Sequence, residues 1–242
     1  MFNQEEIKRY SRHFQLDEIG RSGQEKIKNA KILVIGAGGL GCPALTYLTS
    51  MGIGTIGIMD FDHVSHSNLQ RQFLYCSEDV GKLKVEVAIE KLKIQNENVN
   101  FIAYPFKMTA ENAISIVNDF DYVLDATDSI SARYIINDAC VSLNKCFVYG
   151  AIHKFQGQVS VFNYQNTGPT FRCLFPENEN LTNVSSCIEA GVVGVVPGVI
   201  GVIQATEILK LVTGIGDVLS GKLLIFNSLD YSNRIITFKR IV

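Results

Sequence analysis

Hydrophobic positions along the 242-residue chain change their period twice. Over residues 1–28 they recur at helical spacing (Ile7, Tyr10, Phe14, later Ile19) among charged residues, which predicts one or two short helices. From Lys31 to Gly36 the run Ile32-Leu33-Val34-Ile35 is continuous, as in a strand buried on both faces, and it ends in glycine. A helix from about Gly39 to Met51 and a second strand over Thr55–Asp60 follow. The alternation continues with a helix over Lys82–Asn96, a strand near Phe101–Tyr104, a helix near Ala110–Asn118, a buried strand over Tyr122–Ala126, a helix over Ile130–Leu143 and a strand at Cys146–Tyr149. Such alternation specifies an α/β fold: a Rossmann-like, mostly parallel sheet with helices on both faces.

Beyond residue 150 the pattern shifts. Gln158–Asn163 alternates polar and apolar residues, as a half-exposed strand does. Lys222–Phe226 and Arg234–Phe238 flank the turn residues Asp230–Asn233 and predict a terminal hairpin. These strands extend the sheet in antiparallel fashion. The polar stretch from Gln165 to Ser186 reads as a functional or mobile connection. Ala190–Ile203 is almost wholly apolar, but four glycines and Pro197 interrupt it, and Gln204, Glu207 and Lys210 follow. A membrane-spanning helix needs about 20 uninterrupted apolar residues. The prediction is therefore a glycine-rich loop followed by a buried helix over Val199–Thr213, and no membrane span. One domain is expected over 1–242, with N-terminal helices in 1–28, a nucleotide-binding half in 29–150, and the antiparallel extension in 151–242 carrying a crossover loop at about 165–190.

Composition supports a packed core: 47% of residues are hydrophobic and 19% are charged. This excludes a disordered, collagen-like or disulfide-stapled chain. A net charge of −2 speaks against an electrostatic grip on nucleic acid. The start Met1-Phe2-Asn3-Gln4-Glu5-Glu6 is not a secretory signal, and none of the six cysteines is spaced as Cys-x-x-Cys, so a reducing cytoplasm is expected.

Gly36-Ala37-Gly38-Gly39-Leu40-Gly41 is a complete G-x-G-x-x-G between a predicted strand and helix. Gly36 permits the tight turn, Gly38 lets a phosphate approach the backbone, and Gly41 lets helix and strand pack closely. The helix N-terminus offers unpaired N–H groups to a polyphosphate. Asp60, ending the second strand, stands where a ribose acceptor belongs. This much is shared by NAD, FAD and ATP sites. Asp62, Asn68, Arg71, Gln72 and Lys84 follow, and Asp128 is expected to end the fourth strand, all at the edge where doubly wound sheets bind ligands. A triphosphate needs side-chain cations and Mg²⁺. Arg71 can fork onto phosphate oxygens, Lys84 supplies a point charge, and Asp128 is a hard oxygen ligand for Mg²⁺.

Together Arg9-Tyr10-Ser11-Arg12, Gly23-Gln24, Gly36–Gly41, Asp60-Phe61-Asp62, Ser67–Gln72, Asp125-Ala126-Thr127-Asp128, Gly157-Gln158, Arg172-Cys173-Leu174-Phe175-Pro176 and Cys187-x-x-Ala190-Gly191-Val192 resemble the ThiF/MoeB/HesA family, the bacterial relatives of ubiquitin-activating enzymes. The resemblance runs in order over essentially the whole chain. It implies an ATP- and Mg²⁺-dependent adenylyltransferase that activates the C-terminal glycine of a small ubiquitin-like carrier ending in Gly-Gly, with release of pyrophosphate. Such activation feeds sulfur transfer in thiamin or molybdopterin biosynthesis. By similarity Gly36, Gly38, Gly39, Gly41, Asp60 and Asp62 belong to the nucleotide site. Asn68, Arg71 and Lys84 hold phosphates with Gln72 nearby, and Asp128 positions Mg²⁺. The family works as homodimers, so Arg12 either reaches the γ-phosphate of a neighbouring subunit or is a surface charge beside Tyr10. Cys187 matches a cysteine that attacks the adenylate or its thiocarboxylate in ThiF-like members, whereas MoeB-like members carry a similar cysteine without a clear need for it. Any persulfide donor is expected to be a separate protein.

One departure concerns zinc. Many relatives bind it through two Cys-x-x-Cys pairs. Here Cys173 fills one place of the first pair but Thr170 the other, and no cysteine lies around Asp230–Asn233, where the second pair is expected. One thiolate cannot build a tetrahedral site, so no zinc is expected. His63 and His66, spaced as His-x-x-His with only Asp62 nearby, are assigned to an exposed or phosphate-proximal position rather than a metal. Two other classes stay open: an NAD-dependent oxidoreductase, with His153 to polarise substrate, and a non-catalytic scaffold that retains the fold.

Overall fold

A computed structural model of the chain describes residues 2–177 and 191–241. Three helices come first: α1 (Gln4–Arg9), α2 (Ser11–Phe14) and α3 (Gly20–Asn29), one more than the spacing predicts. A capping box starts α1, with Glu6 N–H on Asn3 Oδ1 at 2.8 Å and Asn3 N–H on Glu6 Oε2 at 2.9 Å. The alternating half then runs β1 (Lys31–Ile35), α4 (Gly41–Met51), β2 (Thr55–Met59), α5 (Lys84–Gln95), β3 (Asn100–Tyr104), α6 (Ala110–Asn118), β4 (Tyr122–Asp125), α7 (Ile130–Ser142) and β5 (Phe147–His153). The second half adds β6 (Gln156–Phe162), α8 (Phe171–Leu174), α9 (Val195–Thr213), β7 (Lys222–Asn227) and β8 (Asn233–Thr237).

All eight strands form one sheet in the order β3-β2-β1-β4-β5-β6-β7-β8. Pairs within β1–β5 are parallel, and β6, β7 and β8 add on antiparallel. The strand order reverses at β1, which has β2 on one side and β4 on the other. That reversal leaves a crevice at the carboxyl edge, where ligands bind in such sheets. One core layer packs Ile32, Val34, Ile56 and Ile58 against α4, α5 and α9, and the other packs Leu33, Val123 and Phe147 against α6 and α7.

Two expectations are corrected. β6 is not half-exposed: Val159, Ser160, Val161 and Phe162 are all buried. The polar position that suggested alternation is satisfied internally, because the Ser160 hydroxyl donates to Lys222 O at 2.8 Å. The last long helix begins at Val195, four residues before its predicted start. Pro197 falls in its first turn, where the missing N–H has no intrahelical acceptor anyway. α9 is long and apolar enough to cross a membrane by length and composition, yet half of it is buried against the sheet and neighbouring helices.

Candidate functional site

The chain leaves β1 through Gly36, whose φ of +101° is open chiefly to glycine. A Cβ there would stand 2.6 Å from Ala126 O, and one on Gly41 would stand 2.0 Å from Gly36 O. These two glycines are thus fixed by backbone packing. Gly41 does not line the cleft, contrary to its expected place among nucleotide contacts; it lets α4 close onto the loop. Gly38 and Gly39 do line it. Asp60 locks the loop from β2: its Oδ2 accepts Ala37 N–H at 2.7 Å and its Oδ1 accepts Asp62 N–H at 2.8 Å. Burial pushes the Asp60 carboxyl above its ordinary value, and the Lys84 charge with these two N–H groups offsets part of the shift. From below, the buried Tyr75 hydroxyl donates to Ala37 O at 2.7 Å.

In front of this loop lies a cleft of about 280 Å³. Its lining brings together Asp60, Asp62, Asn68, Arg71, Gln72, Lys84 and Asp128, all predicted from sequence. Lys84 opens α5, is buried, and pairs with the exposed Asp62 at 2.9 Å. Asp62 thereby holds the ammonium in place. Asn68 uses Oδ1 to accept Ser65 N–H at 3.2 Å, shaping the turn that carries Arg71. Arg71 Nη1 donates to Ser67 O at 2.9 Å. Gln72 lines the cleft beside Gly38 although it is almost wholly buried, and its Oε1 has no hydrogen-bond partner among the described residues. Asp128 does not end β4, which stops at Asp125; it stands exposed in the loop before α7. Arg12 is not in the cleft of its own chain: it is exposed on α2, with Nη1 3.3 Å from Gln15 Oε1. Cys187 lies outside the described residues.

The structure adds residues that the pattern did not single out. Lys107, after β3, lines the cleft, and its ammonium has no hydrogen bond or ion pair among the described residues. Arg133 lines it from α7 and faces the fully buried Asp125, with Nε 3.6 Å from Oδ2. Burial raises the Asp125 carboxyl, and Arg133 and the Thr127 hydroxyl and N–H offset part of that. A sequence signal existed: an aspartate ending an apolar strand run needs a buried counter-charge. Of the four lining cations, Lys84 is paired with Asp62 and Arg133 faces Asp125, which leaves Arg71 and Lys107 with no carboxylate partner among the described residues and available to ligand phosphates.

The fit to metals differs between sites. Asp128 accepts no hydrogen bond among the described residues and offers a hard oxygen donor beside the phosphate loop. Mg²⁺ sites commonly use one or two carboxylates plus substrate phosphates, so Asp128 fits. Around Cys173 the described residues bring no second thiolate: its Sγ meets Thr170 N–H at 3.4 Å, Thr170 Oγ1 at 3.3 Å and Ile241 N–H at 3.4 Å. The chain segment that meets Cys173 is therefore Arg240–Ile241 rather than Asp230–Asn233, because β8 returns past α8. Burial raises the Cys173 thiol, but Thr170, the Ile241 N–H and nearby Arg240 outweigh it and leave the thiol below its ordinary value. Among the described residues, no three His, Cys, Asp or Glu side chains group as metal ligands, and His63 and His66 are exposed.

The sequence matches the ThiF family over residues 10–240. The chain belongs to the ThiF family. It is 46% identical over 243 residues to the sulfur carrier protein adenylyltransferase of Thermus thermophilus, covering 99% of this chain and 90% of that protein. It is 45% identical over 227 residues to a probable molybdopterin-synthase adenylyltransferase of Gracilaria tenuistipitata, covering 94% of this chain but 63% of that one, under two thirds of its length. The fold matches E. coli MccB, solved with ATP, at a TM-score of 0.81 and 24% identity, covering 99% of this chain and 73% of that one. This ThiF-family chain is accordingly an enzyme of the adenylyltransferase class, as the resemblance implied.

Proposed function

We propose that this adenylyltransferase uses ATP to activate the C-terminal glycine carboxylate of a small ubiquitin-like sulfur carrier as an acyl-adenylate, with release of pyrophosphate. The observation that carries the proposal is the order of groups along one sheet edge. Asp60, the residue after β2, suits the ribose, the amide-lined loop after β1 suits the phosphates, and Asp128 after β4 suits Mg²⁺. Arg71, Lys84 and Lys107 supply cations along the cleft.

The chemistry explains the absence of a dedicated base. A C-terminal carboxylate, with a pKa of about 3.5, is already ionised at neutral pH and attacks the α-phosphorus directly. The carboxylates nearest the loop are committed elsewhere, Asp60 to two backbone N–H groups and Asp62 to Lys84. What the protein must do is hold two anions in line and neutralise charge on the departing pyrophosphate. Arg71 and Lys84 perform the second task, and the rigid glycine loop performs the first. Mg²⁺, held by Asp128, would neutralise phosphate charge. A nicotinamide reading leaves Arg71 and Lys107, the two lining cations with no carboxylate partner among the described residues, without a task.

The same reading makes the enzyme a homodimer in which Arg12 completes the partner's cleft, with a separate persulfide donor and a covalent role for Cys187 after adenylation. Isotope exchange between pyrophosphate and ATP tests the central step. Exchange that depends on added carrier and Mg²⁺ is expected. No exchange with any Gly-Gly-ended carrier of the same genome refutes it.

A further inference from the structure

Asp128 sits on an exposed loop, yet a Mg²⁺-bound carboxylate must be held to a fraction of an ångström to be useful. The residue before it, Thr127, has every polar group pinned. Its N–H and Oγ1 donate to Asp125 Oδ1 at 2.9 and 2.7 Å, and its carbonyl oxygen accepts Arg133 Nη2 at 2.8 Å. That carbonyl belongs to the peptide joining Thr127 to Asp128, so the plane that aims Asp128 is fixed directly by Arg133.

Arg133 is itself held from several sides. Nη2 also donates to Gly150 O on β5 at 3.3 Å, the guanidinium lies 5.1 Å from the Tyr149 ring centroid, and Nε faces Asp125 Oδ2. Asp125 is anchored in turn, because Gln204 Nε2 of α9 donates to its backbone oxygen at 2.6 Å. The pair is not an inexpensive structural filler. Asp125 Oδ2 and Arg133 Nε are buried with no hydrogen bond, and a buried ion pair of this kind is often replaceable by apolar residues without loss of stability. The same loop also abuts the phosphate loop, since Ala126 O is the atom a Cβ on Gly36 would strike.

We propose that the buried Asp125–Arg133 pair is a positioning device that sets Asp128 for Mg²⁺ and thereby makes nucleotide binding magnesium-dependent. This rests on the adenylation reading for the identity of the ligand. Neither residue is assigned a step in the reaction; both act through Asp128.

The test compares wild type, Arg133→Lys, Asp125→Asn/Arg133→Met and Asp128→Asn by calorimetric titration of ATP with Mg²⁺ and with EDTA. Arg133→Lys keeps a cation beside Asp125 but cannot span Thr127 O and Gly150 O with one planar fork. The double variant removes both charges and keeps an acceptor for Thr127, covering the case in which Arg133→Lys fails to fold. The result is read as the ratio of the Kd in EDTA to the Kd in Mg²⁺, because Arg133 and Asp128 line the cleft and the direct loss of either charge acts on both values. The gain in affinity on adding Mg²⁺ should shrink at least about fivefold in each, as a loss specific to one ligand of the metal requires. Adding Arg133→Lys to Asp128→Asn should produce no further loss. The proposal is overturned if Arg133→Lys or the double variant retains the wild-type Mg²⁺ gain while Asp128→Asn loses it, or if the whole loss of affinity in either is already present in EDTA. Wild type that binds Mg·ATP but shows no carrier-dependent exchange overturns the carrier reading, and the titrations still decide the pair. Wild type that binds no Mg·ATP overturns both.

Discussion

Two glycines of the phosphate loop, separated by one residue, should respond to the same substitution in opposite ways. At Gly36 an alanine Cβ must coexist with a φ of +101° and with Ala126 O at 2.6 Å. That oxygen cannot yield cheaply, because the Ala126 N–H is bonded to Ile35 O at 2.9 Å and the Ala126 backbone is fixed between β4 and the Thr127 network. Backbone strain of about 1–3 kcal/mol and overpacking of about 1–3 kcal/mol give a combined cost of roughly 2–6 kcal/mol. For a chain of this size Tm falls by about 2–4 °C per kcal/mol, so Gly36→Ala should melt roughly 4–24 °C lower. At Gly38 φ is not positive, and the new Cβ meets only the Gln72 side-chain amide, Nε2 at 3.5 Å and Cδ at 4.0 Å. Gly38→Ala should therefore shift Tm by no more than about 4 °C, since a compatible Gly→Ala change stabilises by about 0.4–1 kcal/mol through the unfolded chain. Its cost appears in binding. The space that a phosphate oxygen would occupy against the backbone is taken by the methyl group, and ATP affinity should drop about 10–100-fold, equivalent to about 1.4–2.7 kcal/mol. Differential scanning calorimetry and ATP titration of both variants check this. A Gly38→Ala protein that binds ATP like wild type would show that the loop does not cradle phosphate. A Gly36→Ala protein with unchanged Tm would show that the close approach to Ala126 is wrong.

Lys84→Met should reduce carrier-dependent exchange by about 10²–10³-fold, the loss seen when one transition-state charge contact is removed, while the exposed Asp62 tolerates its missing partner and Tm changes little. Because Lys84 is the charge that restrains the Asp60 pKa, ATP affinity in Lys84→Met should begin to fall at a higher pH on acidification than in wild type; titrations between pH 4 and 8 would contradict this if the two acid limbs coincide. Mixing the singly inactive Arg12→Ala and Lys84→Met proteins should restore about a quarter of wild-type exchange, since half of randomly exchanged dimers carry one intact shared site; no recovery despite subunit exchange places Arg12 outside the site. Burial opposes ionisation of Asp79, but hydrogen bonds from Lys91 and Cys76 outweigh it and hold its carboxyl well below the ordinary 3.8. A depressed folded-state pKa gives stability that is present above 3.8 and lost as pH falls through the folded value, so the Tm deficit of Asp79→Asn should shrink between pH 7 and pH 3, and a constant deficit contradicts the pairing.

The α/β alternation was legible because fully buried parallel strands write themselves as short continuous apolar runs, and β1, β2 and β4 fall within a residue or two of where those runs lie. The antiparallel half was legible in its strands but not in its burial, since β6 hides Ser160 by pairing its hydroxyl with carbonyls sixty residues away, and no local pattern records that. The cleft shows the same division. Gly36, Asp60, Arg71, Lys84 and Asp128 could be read because each is tied to a strand end or a motif with a fixed place on the sheet edge. Lys107 could not, because a lone lysine in a polar loop looks like any solvated charge. Arg133 was legible only as a need: Asp125 at the end of an apolar run calls for a buried counter-charge, but within α7 the arginine's spacing is that of an ordinary helix, and its identity depends on Asp125 of β4 and Tyr149 and Gly150 of β5 meeting it. The error at Asp128 has the same origin. A loop residue held by a buried pair beneath it resembles a strand end in sequence, and only the three-dimensional closure of Thr127 distinguishes them. Zinc illustrates the converse. Counting cysteines leads only to the expectation of no four-ligand site and says nothing of what joins the two segments, which is a guanidinium: Arg240 Nη1 donates to Asn166 O at 2.8 Å and Gly168 O at 3.2 Å, while the following residue's N–H meets Cys173 Sγ. Carbonyl acceptors are invisible to a motif search because every residue carries one, so a clamp built from an arginine and backbone oxygens has no sequence signature except its arginine.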